Sequence, residues 1–128
     1  MSYKILTVDD SRMVRAIVTK AFAPFGCEIF EAANGADGLA KAVAVQPDLI
    51  ILDITMPDMN GLVVLENLRQ NEALKNTPVI MLTAESGNTS IERADQLKVA
   101  GYVSKPFKGE QLLAQAGQVL QLQPIASP

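Results

Sequence analysis

Two adjacent carboxylates, Asp9 and Asp10, close the apolar run KILTV near the N-terminus. A third, Asp53, closes another apolar run, LIILD. Thr83 ends the run VIMLT, and Lys105 follows the short run GYVS. Three carboxylates brought together repel, so either one binds a proton or a cation enters. Oxygen ligands without histidine or cysteine suit a hard divalent cation, Mg²⁺ or Mn²⁺. An aspartate surrounded by such a cation, an ammonium and a hydroxyl is equipped to attack a phosphoryl group and become an aspartyl-phosphate. Of the three, Asp53 is the nucleophile candidate. Lys105, Thr83 and the cation would stabilise charge on the equatorial oxygens.

Residue types missing from the chain narrow the chemistry further. There is no histidine, so no His-dependent triad, general base or metal ligand exists. Cys27 is the single cysteine, which excludes an intramolecular disulfide and a cysteine-based zinc site. The net charge is −3 and the basic residues are scattered, the opposite of a nucleic-acid surface. No stretch approaches the ~20 apolar residues that span a membrane, and no signal peptide opens the chain. A cytoplasmic protein is expected.

The elements that must position these residues are legible from hydrophobic periodicity. The 128 residues suit one domain, and 48% hydrophobic against 20% charged is ordinary for a globular chain. Strands are expected at Lys4–Val8, Glu28–Ala32, Leu49–Asp53, Pro78–Thr83 and Gly101–Ser104. LIILD and VIML are nearly continuous in apolar residues, as in strands covered on both faces. Helical stripes lie between them: Val14, Ile17, Val18, Ala21 and Phe22; then Leu39, Ala42 and Val43; then Leu62, Leu65 and Leu68. The segment Asn88–Lys98 has a thinner line, Ile91, Ala94 and Leu97, and is expected to be a loosely held helix. Leu112, Leu113, Ala116, Val119 and Leu120 make the last stripe. Five strands alternating with five helices predict a doubly wound α/β domain with a parallel sheet of order 2-1-3-4-5. Residues 1–122 form that domain, and 123–128 read as a short tail.

In such a sheet ligands bind beyond the carboxyl ends of the strands, at the switch point. Strands one, three, four and five are then neighbours ~4.8 Å apart. Their ends carry Asp9 and Asp10, Asp53, Thr83 and Lys105. Each residue alone has a plainer reading. Asp-Asp-Ser ahead of a helix caps it and complements its dipole. Asp53 suits a turn, Thr83 a strand end, Lys105 a solvated charge and Tyr102 a half-buried packing residue. The functional reading prevails because all of them fall at one edge of one sheet, in the right order.

The stretches VDDS, LDITMPDMNG, MLTAES and YVSKPF occur in the order and spacing of a known family. From Lys4 to about Leu122 the chain resembles the receiver domains of two-component response regulators, most of all the stand-alone, CheY-like chemotaxis type. The resemblance implies a flavodoxin-like fold with Asp53 as phosphoacceptor. It implies that Asp10 binds Mg²⁺ directly, Asp9 largely through water, and Thr55 through its backbone carbonyl. Thr83 and Lys105 would contact the phosphoryl group, and Tyr102 would be the aromatic switch. Lys105-Pro106 falls where receivers commonly have a cis peptide. One departure is the stretch Lys98-Val99-Ala100-Gly101, where receivers often place Gly-Ala; a reshaped turn is expected there.

The implied function is a single-domain switch that takes a phosphoryl group from a phosphohistidine and slowly hydrolyses the product. Its partners would be a histidine kinase or phosphotransfer protein and a downstream protein target, with no nucleic acid, no membrane and a monomeric state. It catalyses only its own modification. The alternative is that the chain is one domain cut from a longer protein. An aspartate-nucleophile phosphohydrolase is a rival, but it usually needs an acid two residues after the nucleophile, where Thr55 stands. A flavodoxin-like electron carrier would need a hydroxyl-rich phosphate loop where Asp9 and Asp10 stand. A scaffold that only looks like a receiver is the last rival, and the intact acid, threonine and lysine positions oppose it.

Overall fold

The apolar runs form five strands: β1 (Lys4–Val8), β2 (Glu28–Ala32), β3 (Leu49–Asp53), β4 (Val79–Thr83) and β5 (Gly101–Ser104). They alternate with α1 (Arg12–Phe22), α2 (Gly35–Val45), α3 (Gly61–Gln70), α4 (Asn88–Gln96) and α5 (Gly109–Ala116). This computed structural model describes residues 3–83 and 88–122. The expected tail at 123–128 and the side chain of Ile91 lie outside the described residues. All strand pairs are parallel, in the order β2-β1-β3-β4-β5. No described helix is long and apolar enough to cross a membrane.

Every residue of β3 and β4 is buried, as their unbroken apolar character requires. Leu6, Val8, Ile50, Leu52, Val79 and Met81 pack on one face against α2, α3 and α4. Ile5, Leu49, Ile51, Ile80 and Leu82 pack on the other against α1 and α5. The two layers hold the sheet rigid, so the strand ends that carry the acids have little freedom.

The helix faces differ in detail from the expected stripes. In α2 the buried residues are Gly35, Gly38 and Ala42, while Val43 is 53% exposed. A Cβ on Gly38 would lie 2.8 Å from Val8 Cγ1, so the small residues bring α2 onto β1 at close range. In α3 the buried face is Gly61, Val64, Leu65 and Leu68, with Leu62 half-buried. The last helix stops at Ala116, short of the expected Leu120. Gly117 follows, a poor helix residue, and a turn still returns Leu120 to the core. Proline 78 lies just outside β4, lacking an N–H for the ladder, although its carbonyl accepts from Ile50 N at 3.0 Å.

The turn after α4 keeps the glycine-type geometry without a glycine. Lys98 adopts φ 60°. Val99 N donates to Ala94 O at 3.3 Å and Lys98 N to Asp95 O at 3.0 Å, the two bonds of a Schellman cap. The expectation of a reshaped turn is therefore corrected: the turn persists, and lysine accepts the left-handed backbone. Arg69 of α3 holds it there, donating to Leu97 O at 2.8 Å, Lys98 O at 3.3 Å and Thr77 O at 2.8 Å. Burial pulls the Arg69 pKa below the ordinary arginine value. Lys98→Gly is expected to stabilise the fold by about 0.5–1 kcal/mol, the Cβ penalty less the entropy glycine loses on folding. Urea unfolding measures it, and an unchanged or lower midpoint would show that the backbone is unstrained there.

Candidate functional site

The first acidic loop is built by β1 and α1. Asp9 N donates to Ala32 O at 3.0 Å, extending the β1–β2 pairing one residue past the strand. Asp9 is fully buried, and its Oδ1 accepts from Ser11 N at 2.8 Å. Ser11 caps α1, its Oγ accepting from Val14 N at 3.2 Å. Asp10 is exposed. Asp53 is buried at the end of β3, and its Oδ1 accepts from Thr55 N at 3.3 Å. One oxygen each from Asp9, Asp10 and Asp53 lies within 4.8 Å of the others.

Lys105 enters this cluster from the end of β5. Its Nζ is 2.9 Å from Asp9 Oδ2 and 3.2 Å from Asp53 Oδ1. Burial alone would lower the Lys105 pKa; the hydrogen bond and charge of Asp9, then those of Asp53, outweigh it and raise the pKa above the ordinary lysine value. Burial, and then the charge of Asp9, push Asp53 up to about 6, although Lys105 and the Thr55 N–H pull it down. Among the described residues one ammonium thus stands against a group of three carboxylates, an excess of two negative charges. Oxygen donors with that charge deficit fit a hard divalent cation.

Thr83 lies on the strand next to Asp53, and Tyr102 one strand further on. Thr83 is buried at the end of β4, one residue beyond the register position of Asp53, and its carbonyl accepts from Lys105 N at 2.7 Å. Tyr102 pairs with Met81 in the β4–β5 ladder, while Thr83 pairs with Ser104. Tyr102 and Thr83 therefore share a sheet face, one diagonal step apart. The Tyr102 hydroxyl donates to Asp95 on α4. Burial, followed by this hydrogen bond and the Asp95 charge, raises the tyrosine pKa above its ordinary value. Lys105-Pro106 is cis.

Two residues not singled out from sequence support the site. Arg15 donates to Asp9 O at 2.7 Å and to Glu31 Oε1 at 3.0 Å, tying α1 to the acidic loop and the end of β2. A cation one turn into a helix that follows paired acids was the available signal. Asp58 spans to α2, accepting from Gly35 N at 2.9 Å and Ala36 N at 3.0 Å. No local pattern marks that partnership, because the residues are more than twenty positions apart.

A family model described as response regulator receiver domain matches residues 5–116. Protein PilG of Pseudomonas aeruginosa is 34% identical over 110 residues, which cover 86% of this chain and 82% of PilG. The sensor histidine kinase CheAY of Helicobacter pylori is 34% identical over 123 residues, but the match covers only 15% of that larger protein. The structure of the chemotaxis protein CheY4 of Vibrio cholerae superimposes with a TM-score of 0.88 at 35% identity, covering 94% of this chain and 100% of that one. With the expected strand order observed and similarity running through nearly the whole length, the chain belongs to the response regulator receiver domain family.

Proposed function

We propose that this chain accepts a phosphoryl group on Asp53 from a phosphohistidine of a kinase or phosphotransfer protein, and signals through altered binding to a protein target. The observation that carries this reading is Lys105 bridging Asp9 and Asp53 at 2.9 and 3.2 Å. It leaves a buried carboxylate, an ammonium and a cluster of further acids at one edge of the sheet. In the transfer, an Asp53 oxygen forms a bond to phosphorus as the donor's phosphorus–nitrogen bond breaks. The leaving imidazole nitrogen keeps the electron pair.

Asp9, Asp10, Asp53 and the Thr55 carbonyl would hold Mg²⁺ (or Mn²⁺), which when bound supplies positive charge for the phosphoryl oxygens. Lys105 offers three donors on a point charge to the same oxygens. The Thr83 hydroxyl donates to one of them by moving towards Asp53. A phosphoryl group shifts a conformational equilibrium only through such differential contacts. Tyr102, on the same sheet face as Thr83, then exchanges its Asp95 bond for the space Thr83 leaves. The output surface in this reading is α4, β5 and α5.

Lys105→Ala tests the coupling. With Mg²⁺ and acetyl phosphate the variant is expected to gain a phosphoryl group, read by intact mass. Its amide NMR shifts at 92–97 and Tyr102 should fall to less than half of the native response. A full native response in the modified variant would reduce Lys105 to a surface charge.

A further inference from the structure

The loop between β3 and α3, residues 54–60, carries the Thr55 carbonyl. Its near end is anchored by main chain and core. Ile54 N donates to Leu82 O at 3.0 Å, Gly61 N donates to Ile54 O at 2.7 Å, and Ile54 and Met56 are buried. A Cβ on Gly61 would lie 2.1 Å from the Asp53 carbonyl oxygen, so the loop closes directly onto the backbone of the phosphoacceptor. Its far half is exposed at Pro57 and Asp58 and rests on α2. There both Asp58 oxygens are engaged, by Gly35 N at 2.9 Å and Ala36 N at 3.0 Å. Met59 packs on Gly35, where a Cβ would lie 2.3 Å from Met59 Cγ.

The same helix end has a second, independent cap. Asn34 Oδ1 accepts from Asp37 N at 2.8 Å, while the Asn34 carbonyl begins the helix's own ladder by accepting from Gly38 N at 3.0 Å. One of the helix's free amides, that of Asp37, is thus satisfied from its own flank, and two from the phosphoacceptor loop. A carboxylate on a helix N-terminus combines charge-assisted hydrogen bonds with the dipole. The Gly35 N–H, then the Ala36 N–H, hold the Asp58 pKa below the usual carboxylate value, so the contact stays charged at neutral pH.

We propose that Asp58 is a positioning residue: its carboxylate clamps the 54–60 loop onto the N-terminus of α2 and thereby sets the Thr55 carbonyl and Asp53 for the cation. This rests on the phosphoacceptor reading above. Asp58 acts by limiting where the loop can go, its carboxylate being taken up by the backbone amides of α2. The link also makes the N-terminus of α2 part of the site through its backbone amides.

Asn34→Ala and Asp58→Ala separate positioning from simple loss of a cap. Both should lower the urea midpoint, because each strips acceptors from the same helix end. Mg²⁺ titration followed by amide NMR should show Asp58→Ala weakened by about tenfold, the scale of losing a group that orients a metal ligand. Asn34→Ala should keep the native affinity. Asp58→Asn, with one acceptor oxygen left, should fall between. In metal-free samples the amides of 54–60 should shift in Asp58→Ala and not in Asn34→Ala. Native affinity in Asp58→Ala, or equal losses in both alanine variants, would overturn the proposal. Absence of any Mg²⁺ response in the native chain would instead overturn the metal reading, and this proposal with it.

Discussion

Incubated with Mg²⁺ and acetyl phosphate, the native chain is expected to gain one phosphoryl group, and Asp53→Asn none. The product should be labile at alkaline pH, as an acyl phosphate is and a phosphoserine or phosphothreonine is not. The size of the effect follows from the roles: an amide at position 53 has no anionic oxygen to attack with, whereas the surrounding groups only lower the barrier. Loss in Asp10→Asn should be partial for the same reason, since the nucleophile and Lys105 remain. Intact mass and peptide mapping give the answer. A phosphoryl group mapped to Thr83 or Ser86 would end the aspartyl-phosphate reading. Asp53→Asn changes one side-chain atom and leaves the volume alone, so failure to fold is not an escape.

Without divalent metal, Asp53→Asn should be more stable than the native chain at neutral pH, by about 2–3 kcal/mol, a figure in which the opposing Lys105 contact is already included. Asp53 titrates at about 6 when folded, above the ordinary carboxylate value of 3.8. Between those values the folded state binds more protons than the unfolded state. Native stability from this group therefore falls as pH rises from about 4 to 6, then stays low. The penalty is the buried charge facing Asp9, and Lys105 offsets only part of it. Lys105 also lies 2.9 Å from Asp9, a contact the variant is expected to keep, so little else should be lost. Urea unfolding in EDTA at pH 4 and pH 7 measures the gap between the two proteins. Added Mg²⁺ should narrow it at pH 7 by binding the native chain preferentially. A gap that does not change with pH would mean Asp53 is not burdened by its neighbours.

The strands and the sheet order were legible in the sequence because each depends on short-range features. LIILD and VIMLT declare double-sided burial by themselves, and strict alternation of strand and helix leaves few ways to wind a parallel sheet. Once that order is accepted, Asp9, Asp10, Asp53 and Lys105 fall at one edge by counting residues. The structure places them within ion-pair and ligand distance. Boundaries and faces were less legible. Leu39, Ala42 and Val43 make a plausible stripe, yet α2 turns Gly38 to β1, because close backbone approach can outweigh side-chain area when Val8 lies opposite. Periodicity weighs what side chains add and is blind to what their absence permits.

Other features were decided only by tertiary structure. Lys98 takes a left-handed turn because Arg69, 29 positions earlier, collects the carbonyls of that turn. Arg15 is half-buried and bound to the Asp9 carbonyl, a partner that its residue type does not name. Asp58 reads locally as a turn acid beside proline and becomes the cap of a helix that precedes it. In each case a polar group's partner is a backbone atom, for Arg69 and Asp58 one more than twenty positions away, and backbone atoms carry no sequence identity. A pattern of residue types can announce which groups must find partners; only the folded chain determines which carbonyls and amides come within reach.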